Sequence, residues 1–230
     1  MIGDAMIGDA MIEDGMTLNL FDDRQVGARE AIGPRAFVLR GFALPYVDEL
    51  LTAIQGLEHH APFRHMVTPG GLTMSVAMTN CGELGWTTDR RGYRYSPTDP
   101  DTGRPWPAMP RAFARLAREA AAAAGFADFE PDACLVNRYL PDSRLSLHQD
   151  KDECDFEAPI VSVSLGMPAV FLFGGNERAV KAARVPLQHG DVVVWGGEDR
   201  LRYHGVMPLK DLPHALLGSQ RVNLTFRKAG

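Results

Sequence analysis

The sequence predicts an α+β fold that is mainly β, with a jelly-roll or similar closed β architecture and flanking N-terminal helices packed on its outside. Two observations carry this prediction. After Pro131 the chain divides into about eight short strand-like segments, separated by Gly, Pro, Asn and Asp turn signals. Before Pro131, two longer segments show the apolar spacing of helices. So many short strands in about a hundred residues favour a closed β architecture over alternating strands and helices.

The N-terminal part contains one expected strand and both expected helices. Residues 35–42 resemble a strand, and residues 45–60 form a helix with Pro45 in its first turn and apolar residues on one side. Residues 68–85 are expected to form a hairpin-like segment, and residues 94–107 a polar, Pro-rich loop. The second helix covers the Ala-rich residues 109–124. The expected C-terminal strands are residues 133–139, 145–149, 160–165, 169–173, 183–187, 191–195, 201–206 and 221–227.

The first residues differ from the rest of the chain, because the unit Met-Ile-Gly-Asp-Ala occurs twice and then begins a third time. A repeat this short cannot build a solenoid. Residues 1–15 are therefore expected to be a disordered leader or a mis-assigned start, with the functional start near Met16. No linker interrupts residues 35–230, so residues 16–230 are expected to form a single domain.

Composition narrows the class of protein. The chain has 45% hydrophobic and 23% charged residues and no apolar run that could span a membrane, which predicts a cytoplasmic protein with no membrane partner. Three cysteines without paired spacing disfavour a disulfide framework or a cysteine-based zinc site. Residues 1–30 hold seven acids and two bases and so carry the whole net charge of −5. Charge therefore neither supports nor excludes a polyanionic substrate.

The sharpest chemical feature is His148-Gln149-Asp150, with His204 far downstream. On a strand, side chains two residues apart project to the same face, so His148 and Asp150 can bind one ion together. One further imidazole completes two histidines and one carboxylate on one face of a metal, which is typical of non-haem Fe(II) oxygenases. The non-functional alternative for an isolated His-x-Asp is a histidine that makes its hydrogen bonds within the protein, beside an acid that faces solvent.

The last expected strand supports the metal hypothesis. Residues 221–227 alternate, with Arg221, Asn223, Thr225 and Arg227 on one face and apolar residues on the other. If the apolar face packs outward, the polar face points into the barrel, which is costly unless it binds something. Two guanidiniums and an amide suit a dicarboxylate. Residues 137–139 repeat the alternation and place Asn137 and Tyr139 on one face, although an ordinary solvent-facing strand remains the alternative.

Taken together, these residues resemble the AlkB family of Fe(II)- and 2-oxoglutarate-dependent alkylated-base repair dioxygenases. The matching stretches are residues 66–82, 131–139, 145–153, 189–197 and 223–227, and the resemblance extends from about residue 16 to the C-terminus. It implies a double-stranded β-helix core in which Fe(II) is bound by His148, Asp150 and His204. It also implies that Arg221 and Arg227 hold the carboxylates of 2-oxoglutarate, with hydrogen bonds from Asn137, Tyr139 and Asn223.

The activity that the resemblance implies is oxidative demethylation of N-alkylated nucleobases of the 1-methyladenine and 3-methylcytosine type. O2 and 2-oxoglutarate are consumed, and formaldehyde, succinate and CO2 are released. The expected partner is alkylated DNA, with RNA left open, and the expected pathway is direct-reversal DNA repair. A monomer is the default expectation.

The same resemblance implies a nucleotide-recognition segment at about residues 66–95. Trp86 is expected to stack on a flipped base, with His148 as the opposite wall and Tyr93 beside the backbone. Asp152, or after it Glu153, would accept a hydrogen bond from the exocyclic amine of a cationic lesion. Phosphate contacts are expected from local basic groups, among them Arg90, Arg91 and Arg94. The further candidates that the resemblance implies are Thr68, Arg144, Lys151 and Arg178. The alternative for the aromatic residues is a role in the core or at a pocket rim, and for the phosphate candidates a solvated surface.

Three rival functions are less well supported than an iron- and 2-oxoglutarate-dependent oxygenase that acts on alkylated bases. An oxygenase of the same chemistry could act on a protein side chain or a small metabolite. A nucleic-acid-binding module could carry an inactive iron site, although intact His148, Asp150, His204 and Arg227 argue against it. A zinc hydrolase could use the same three ligands, but it would have no need of Arg221 on an inward strand face. Departures from the family pattern at Asp89, at Cys154 and in residues 176–184 leave the fine substrate choice undecided.

Overall fold

The structure is a computed structural model that describes residues 25–230. The predicted leader and the functional start near Met16 lie outside these residues. The helices are α1 (Val47–His60) and α2 (Arg111–Ala123). The strands are β1 (Arg29–Gly33), β2 (Ala36–Leu39), β3 (Arg64–Val67), β4 (Thr73–Gly82), β5 (Gly85–Asp89), β6 (Gly92–Ser96), β7 (Ala133–Tyr139), β8 (Leu145–His148), β9 (Ile160–Gly166), β10 (Ala169–Phe173), β11 (Ala183–Leu187), β12 (Val192–Trp195), β13 (His204–Val206) and β14 (Arg221–Arg227).

Two antiparallel sheets and one hairpin make up the β structure of residues 25–230. The larger sheet has eight strands in the order β1-β2-β12-β9-β14-β7-β4-β3. The smaller sheet has four strands in the order β11-β10-β13-β8, and β5 and β6 form a separate hairpin. All the strand pairs of the two sheets are antiparallel, and sequence-distant strands lie side by side, as in a jelly-roll. The predicted jelly-roll class is confirmed.

Strand β14 lies in the middle of the larger sheet and separates an apolar layer from a polar one. Its apolar face, Val222, Leu224 and Phe226, belongs to the core cluster that also contains the buried sides of α1 and α2. Its other face is polar and yet buried, with Arg221 and Arg227 only 2% and 6% exposed. The predicted alternation of this strand is therefore confirmed, and the helices cover its apolar side.

Helix α2 forms because its Ala-rich sequence has high helix propensity and places its larger apolar side chains on one face. Phe113 and Leu116 are fully buried, and the Phe113 ring meets the ring of Phe226 edge to face at 5.9 Å between centroids. Pro110 precedes the first turn, and Gly125, with a φ of 86°, follows the last. The helix begins and ends within two residues of the predicted bounds.

Replacing Phe113 with Ala should lower the free energy of unfolding by about 3–5 kcal/mol, because it leaves a cavity between α2 and the larger sheet. Urea denaturation followed by circular dichroism measures this loss. The exposed Arg111 on the same helix offers a control, since its replacement by Ala should change stability by less than about 0.5 kcal/mol. A loss at Phe113 as small as that at Arg111 would contradict the packing described.

The main difference from the sequence prediction lies in residues 85–96, which form the β5–β6 hairpin. Residues 94–107 were predicted as a loop, but the loop begins only after Ser96. The carboxylate of Asp89 holds the end of this hairpin, since it accepts hydrogen bonds from Arg94 at 2.8 Å and from the amide of Arg91 at 2.7 Å. Hydrogen bonds of this kind, made by a single side chain, have no periodicity that a sequence pattern could reveal. Strands β1 and β3 were also not predicted.

The turn before β12 contains a partly buried imidazole. Nδ1 of His189 accepts a hydrogen bond from the amide of Gly166 at 2.9 Å, and its ring stacks on His214 at 4.2 Å. Burial, with a smaller contribution from His214, lowers the pKa of His189 to about 4. Between about pH 6.5 and pH 4, His189 is therefore neutral in the folded protein but protonated in the unfolded chain.

Acidification should therefore destabilise the protein through His189. Because the unfolded chain binds the extra proton, stability falls as the pH drops from the unfolded pKa of about 6.5 towards the folded value of about 4. The full shift would correspond to about 3 kcal/mol, but solvent screening of this partly exposed group reduces the expected loss to about 1 kcal/mol. Urea denaturation at pH 7 and pH 5 should show a smaller difference in His189→Asn than in the wild type. An equal difference in both proteins would contradict this prediction.

Neither helix in residues 25–230 is long and apolar enough to cross a membrane.

Candidate metal centre and co-substrate pocket

The structure brings His148, Asp150 and His204 together at the end of the smaller sheet. His148 is the last residue of β8 and pairs in register with His204, the first residue of β13. Nε2 of His148 lies 3.6 Å from Oδ1 of Asp150, and Nε2 of His204 lies 3.7 Å from Oδ2. One ligand atom from each residue lies within 4.8 Å of the others. These side chains could hold one metal ion.

Hydrogen bonds leave the correct nitrogen of each imidazole available to a metal. Nδ1 of His148 contacts the carbonyl oxygen of Ser146 at 2.9 Å, and Nδ1 of His204 contacts that of Arg202 at 3.0 Å. A carbonyl accepts only from a protonated nitrogen, so Nδ1 carries the proton and Nε2 keeps its lone pair. Because both backbone partners lie two residues before the histidine, the local strand geometry itself fixes the tautomer.

The charges of the site match those that metal ligands need. Burial alone would raise the pKa of Asp150, but Arg227 first, and then His204 and His148, more than offset burial and hold it below its usual value. Burial, with help from His148, lowers the pKa of His204 to about 4. The site therefore presents an ionised carboxylate and a neutral imidazole at neutral pH, and this donor set fits Fe(II).

The two arginines of β14 have different surroundings. Arg227 lies against Asp150, with its Nε and Nη2 at 2.8 and 2.6 Å from Oδ2. Arg221, six residues earlier on the same face, donates from Nη2 to Oγ of Ser164 at 2.9 Å and lies over the ring of Tyr139 at 4.9 Å. Nε and Nη1 of Arg221 are buried and have no hydrogen-bond partner among the described residues. A buried guanidinium with two unpaired donors fits a carboxylate of 2-oxoglutarate.

The predicted amides lie between the two arginines. Asn223 donates from Nδ2 to Oγ of Ser162 at 2.8 Å and to the carbonyl of Val163 at 2.9 Å, while its Oδ1 accepts from Asn137 at 3.2 Å. The Asn223 amide is thus occupied by the protein. Oδ1 of Asn137 has no hydrogen-bond partner among residues 25–230, so this amide can still accept one hydrogen bond from a donor.

The β5–β6 hairpin places aromatic rings next to the loop that carries Asp150. The rings of Trp86 and Tyr93 stack at 5.5 Å between centroids, and Tyr93 is 48% exposed. Nε1 of Trp86 donates to Oδ2 of Asp152 at 2.9 Å, so the hairpin contacts the chain two residues past the metal ligand. An aromatic face and a carboxylate are therefore adjacent at the rim of the metal centre.

The remaining predicted substrate residues lie in unequal positions. Glu153 is only 6% exposed, and its Oε1 accepts a hydrogen bond from the Tyr95 hydroxyl at 2.7 Å. Lys151 is exposed, Arg178 lies over the ring of Tyr203 at 6.0 Å, and Oγ1 of Thr68 accepts from the amide of Leu72 at 3.1 Å. The structure thus brings Asp152 to the aromatic rim but turns Glu153 inward.

Sequence reasoning missed two residues of this region, Arg200 and Tyr95. Arg200 is 2% exposed and donates to the carbonyls of Asp150 and Ala158 at 2.8 and 3.1 Å, so it holds both ends of the ligand loop, residues 150–158. No pattern distinguishes such a buried arginine from a solvated one. Tyr95 could have been found, because in a strand it lies on the same face as Tyr93.

Comparison with known proteins agrees with this geometry. A family profile described as "2OG-Fe(II) oxygenase superfamily" matches residues 36–227. The chain is 59% identical over 213 residues to the Escherichia coli protein named alpha-ketoglutarate-dependent dioxygenase AlkB, covering 93% of this chain and 98% of that protein. It is 44% identical over 181 residues to the Caulobacter vibrioides AlkB homolog, covering 78% and 80% of the two chains. The solved structure titled "The structure of OsALKBH1" superposes with a TM-score of 0.77 at 31% identity, covering 87% of this chain and 100% of that one.

Proposed function

This chain belongs to the 2OG-Fe(II) oxygenase superfamily and is an Fe(II)- and 2-oxoglutarate-dependent dioxygenase, and from that premise we propose that it demethylates N-alkylated bases in DNA. The observation that carries the proposal is the aromatic rim formed by Trp86 and Tyr93, joined through Asp152 to the loop of the metal ligand Asp150. The physiological role would be direct-reversal repair of alkylation damage.

The residues proposed to hold the two cofactors are those with suitable donors. His148, Asp150 and His204 would bind Fe(II), and Arg221 would pair with a carboxylate of 2-oxoglutarate through its unpaired Nε and Nη1. When bound, Fe(II), 2-oxoglutarate and O2 supply the oxidation of the N-methyl carbon, with succinate and CO2 as co-products.

The surrounding polar side chains orient these groups. Tyr139 would support the Arg221 guanidinium. Oδ1 of Asn137 only accepts, so it would take a hydrogen bond from a water beside the co-substrate and would not bind its carboxylates directly. Asn223 would hold the Asn137 amide in place. Arg227 keeps Asp150 ionised, and it would contact the second carboxylate from beside the metal centre.

The substrate would be a single base taken out of its stack. An N-methylated adenine or cytosine carries positive charge, so the Asp152 carboxylate would attract the ring and accept a hydrogen bond from its exocyclic amine. Trp86 would stack on one face of the base and His148 would close the other. The sugar-phosphate backbone would be contacted by Tyr93, Thr68, Lys151, Arg144 and Arg178. The oxidised methyl group then leaves the ring nitrogen as formaldehyde.

We propose further that the protein acts as a monomer in the cytoplasm. Its three cysteines are free, which suits a reducing compartment. RNA carries the same bases and phosphates, so RNA is a second candidate substrate.

Replacing Trp86 with Ala should raise the KM for an alkylated oligonucleotide by about 10–100-fold, because stacking on an aromatic side chain contributes about 1–3 kcal/mol per base. The value of kcat should change less, since Trp86 touches no metal ligand. Steady-state formaldehyde release measures both constants. Trp86→Phe keeps an aromatic face and should recover most of the affinity, whereas an unchanged KM in Trp86→Ala would contradict the stacking role.

A panel of substrates tests the proposed function. The purified enzyme with Fe(II) and 2-oxoglutarate would be given a single-stranded oligonucleotide with one 1-methyladenine, its unmodified counterpart, free 1-methyladenosine and an N-methylated lysine peptide. Formaldehyde release from the alkylated oligonucleotide alone, or from it far faster than from the nucleoside, supports the proposal. Faster release from the peptide or from the free nucleoside would replace it with an oxygenase of another substrate class.

A further inference from the structure

Glu153 links the β5–β6 hairpin to the metal ligand through a chain of buried contacts. Its Oε1 accepts a hydrogen bond from the Tyr95 hydroxyl at 2.7 Å and lies 3.3 Å from Nε of Arg227. That same Nε donates to Oδ2 of Asp150 at 2.8 Å. One guanidinium therefore lies between the carboxylate that contacts the hairpin and the carboxylate that belongs to the metal centre.

The second oxygen of Glu153 is held less tightly. Oε2 lies 3.2 Å from Nη2 of Arg200, but it is buried without a hydrogen bond among the described residues. Two acids and two arginines, Asp150, Glu153, Arg200 and Arg227, thus form a compact buried ion cluster whose charges balance. In such a cluster the loss of one partner shifts the others, because each remaining charge must find compensation at low dielectric.

The hairpin is attached to the ligand loop at two points of different character. The contact between Trp86 and Asp152 lies at the rim, where Asp152 is exposed. The contact between Tyr95 and Glu153 lies inside, and only this one continues through Arg227 to Asp150. A change in the position of the hairpin therefore reaches the metal ligand through the inner contact.

We propose that Tyr95 and Glu153 are positioning residues through which the β5–β6 hairpin holds Arg227 against the metal ligand Asp150. This assigns Glu153 a role different from contact with the base, and it deepens the proposed function, on which its catalytic consequence rests. In the proposed function the hairpin carries the base-stacking Trp86, so the arrangement would make the metal ligand sensitive to the position of the hairpin. By reciprocity, a filled metal centre should stabilise the contact of the hairpin with the ion cluster.

The first test needs no nucleic acid. Amide hydrogen exchange of residues 85–96 would be followed by mass spectrometry, without metal and then with Mn(II) and 2-oxoglutarate. Loading should slow exchange of the hairpin in the wild type by about tenfold, and Tyr95→Phe, which removes only the hydroxyl, should abolish that response. A Tyr95→Phe protein that responds as the wild type does, or a wild type that does not respond, overturns the proposal.

A matched control separates this coupling from simple loosening of the hairpin. Oγ1 of Thr88 donates to the carbonyl of Val67 at 3.3 Å, which attaches the same hairpin to β3 without touching the ion cluster. Thr88→Val should raise the basal exchange rate but keep the response to Mn(II) and 2-oxoglutarate. If Thr88→Val loses the response as Tyr95→Phe does, the inner contact has no special role and the proposal fails.

A second readout reports catalysis. In Tyr95→Phe and Glu153→Gln the ratio of succinate formed to formaldehyde released from the 1-methyladenine oligonucleotide should rise several-fold, because 2-oxoglutarate is consumed without productive oxidation. An unchanged ratio together with a raised KM for the oligonucleotide would make Glu153 a substrate contact instead and overturn the proposal. If no oligonucleotide is demethylated even by the wild type, the proposed function fails, whereas the exchange experiment still decides the positioning role.

Discussion

Replacing Asp150 with Ala is expected to abolish both metal binding and turnover. The variant removes the only carboxylate of the three-residue metal group, and the loss should exceed the 10–100-fold typical of outer-shell changes, so metal affinity should fall by more than about 100-fold. Mn(II) binding followed by calorimetry or by electron paramagnetic resonance measures the affinity. Succinate formation from 2-oxoglutarate measures turnover.

The same substitution also changes the buried ion cluster. Arg227 loses its partner at 2.6 Å and keeps only the longer contact to Glu153, so the free energy of unfolding should fall by about 3 kcal/mol or more. Glu157, exposed in the same loop, provides a control whose replacement by Ala should leave Mn(II) affinity and stability unchanged. Wild-type metal affinity in Asp150→Ala would contradict the assignment of the metal centre.

Replacing Arg221 with Met should reduce affinity for 2-oxoglutarate without reducing stability. The loss of a charge-assisted, two-donor contact should weaken binding by about 100-fold, which corresponds to about 3 kcal/mol. The free energy of unfolding should stay the same or rise, because Nε and Nη1 of Arg221 are buried without partners among residues 25–230 and a methionine avoids that cost. Calorimetric titration with 2-oxoglutarate in the presence of Mn(II), and urea denaturation, measure the two quantities.

Arg138 offers a matched control for Arg221. It lies on the neighbouring strand β7, pairs with Glu58 at 2.7 Å and packs over the ring of Phe63, away from the metal centre. Arg138→Met should therefore leave affinity for 2-oxoglutarate unchanged. Equal losses of affinity in the two variants, or full affinity in Arg221→Met, would mean that the carboxylate is recognised elsewhere.

The alternation of residues 221–227 was enough to predict both the strand and the polar face that it buries. Period-two spacing fixes the face on which a strand side chain lies. The same argument predicted that His148 and Asp150 lie together, and they do, but Asp150 follows the end of β8, so the loop and its contact with Arg227 place it there. What the pattern could not give is the partner of each side chain. Arg221 and Arg227 look equivalent in the sequence, yet one has unpaired donors and the other lies against Asp150.

Glu153 also shows that a sequence pattern does not reveal the partners of a side chain. Next to Asp152 it looked like a second acid for the base pocket. In the structure its carboxylate instead contacts three side chains from distant parts of the chain, those of Tyr95, Arg200 and Arg227. The β5–β6 hairpin was only partly predicted for a related reason. It depends on the Asp89 carboxylate and on contacts with the ligand loop, and such tertiary interactions leave no periodic signal.

The most direct test of this account follows one alkylated base through one reaction. The protein would be reconstituted anaerobically with Fe(II) and 2-oxoglutarate, mixed with a single-stranded oligonucleotide that carries one 1-methyladenine, and exposed to air. Mass spectrometry should show the loss of one methyl group with the wild type and no loss with Asp150→Ala. An intact methyl group, despite conversion of 2-oxoglutarate to succinate by the wild type, would contradict the claim that this oxygenase repairs alkylated bases.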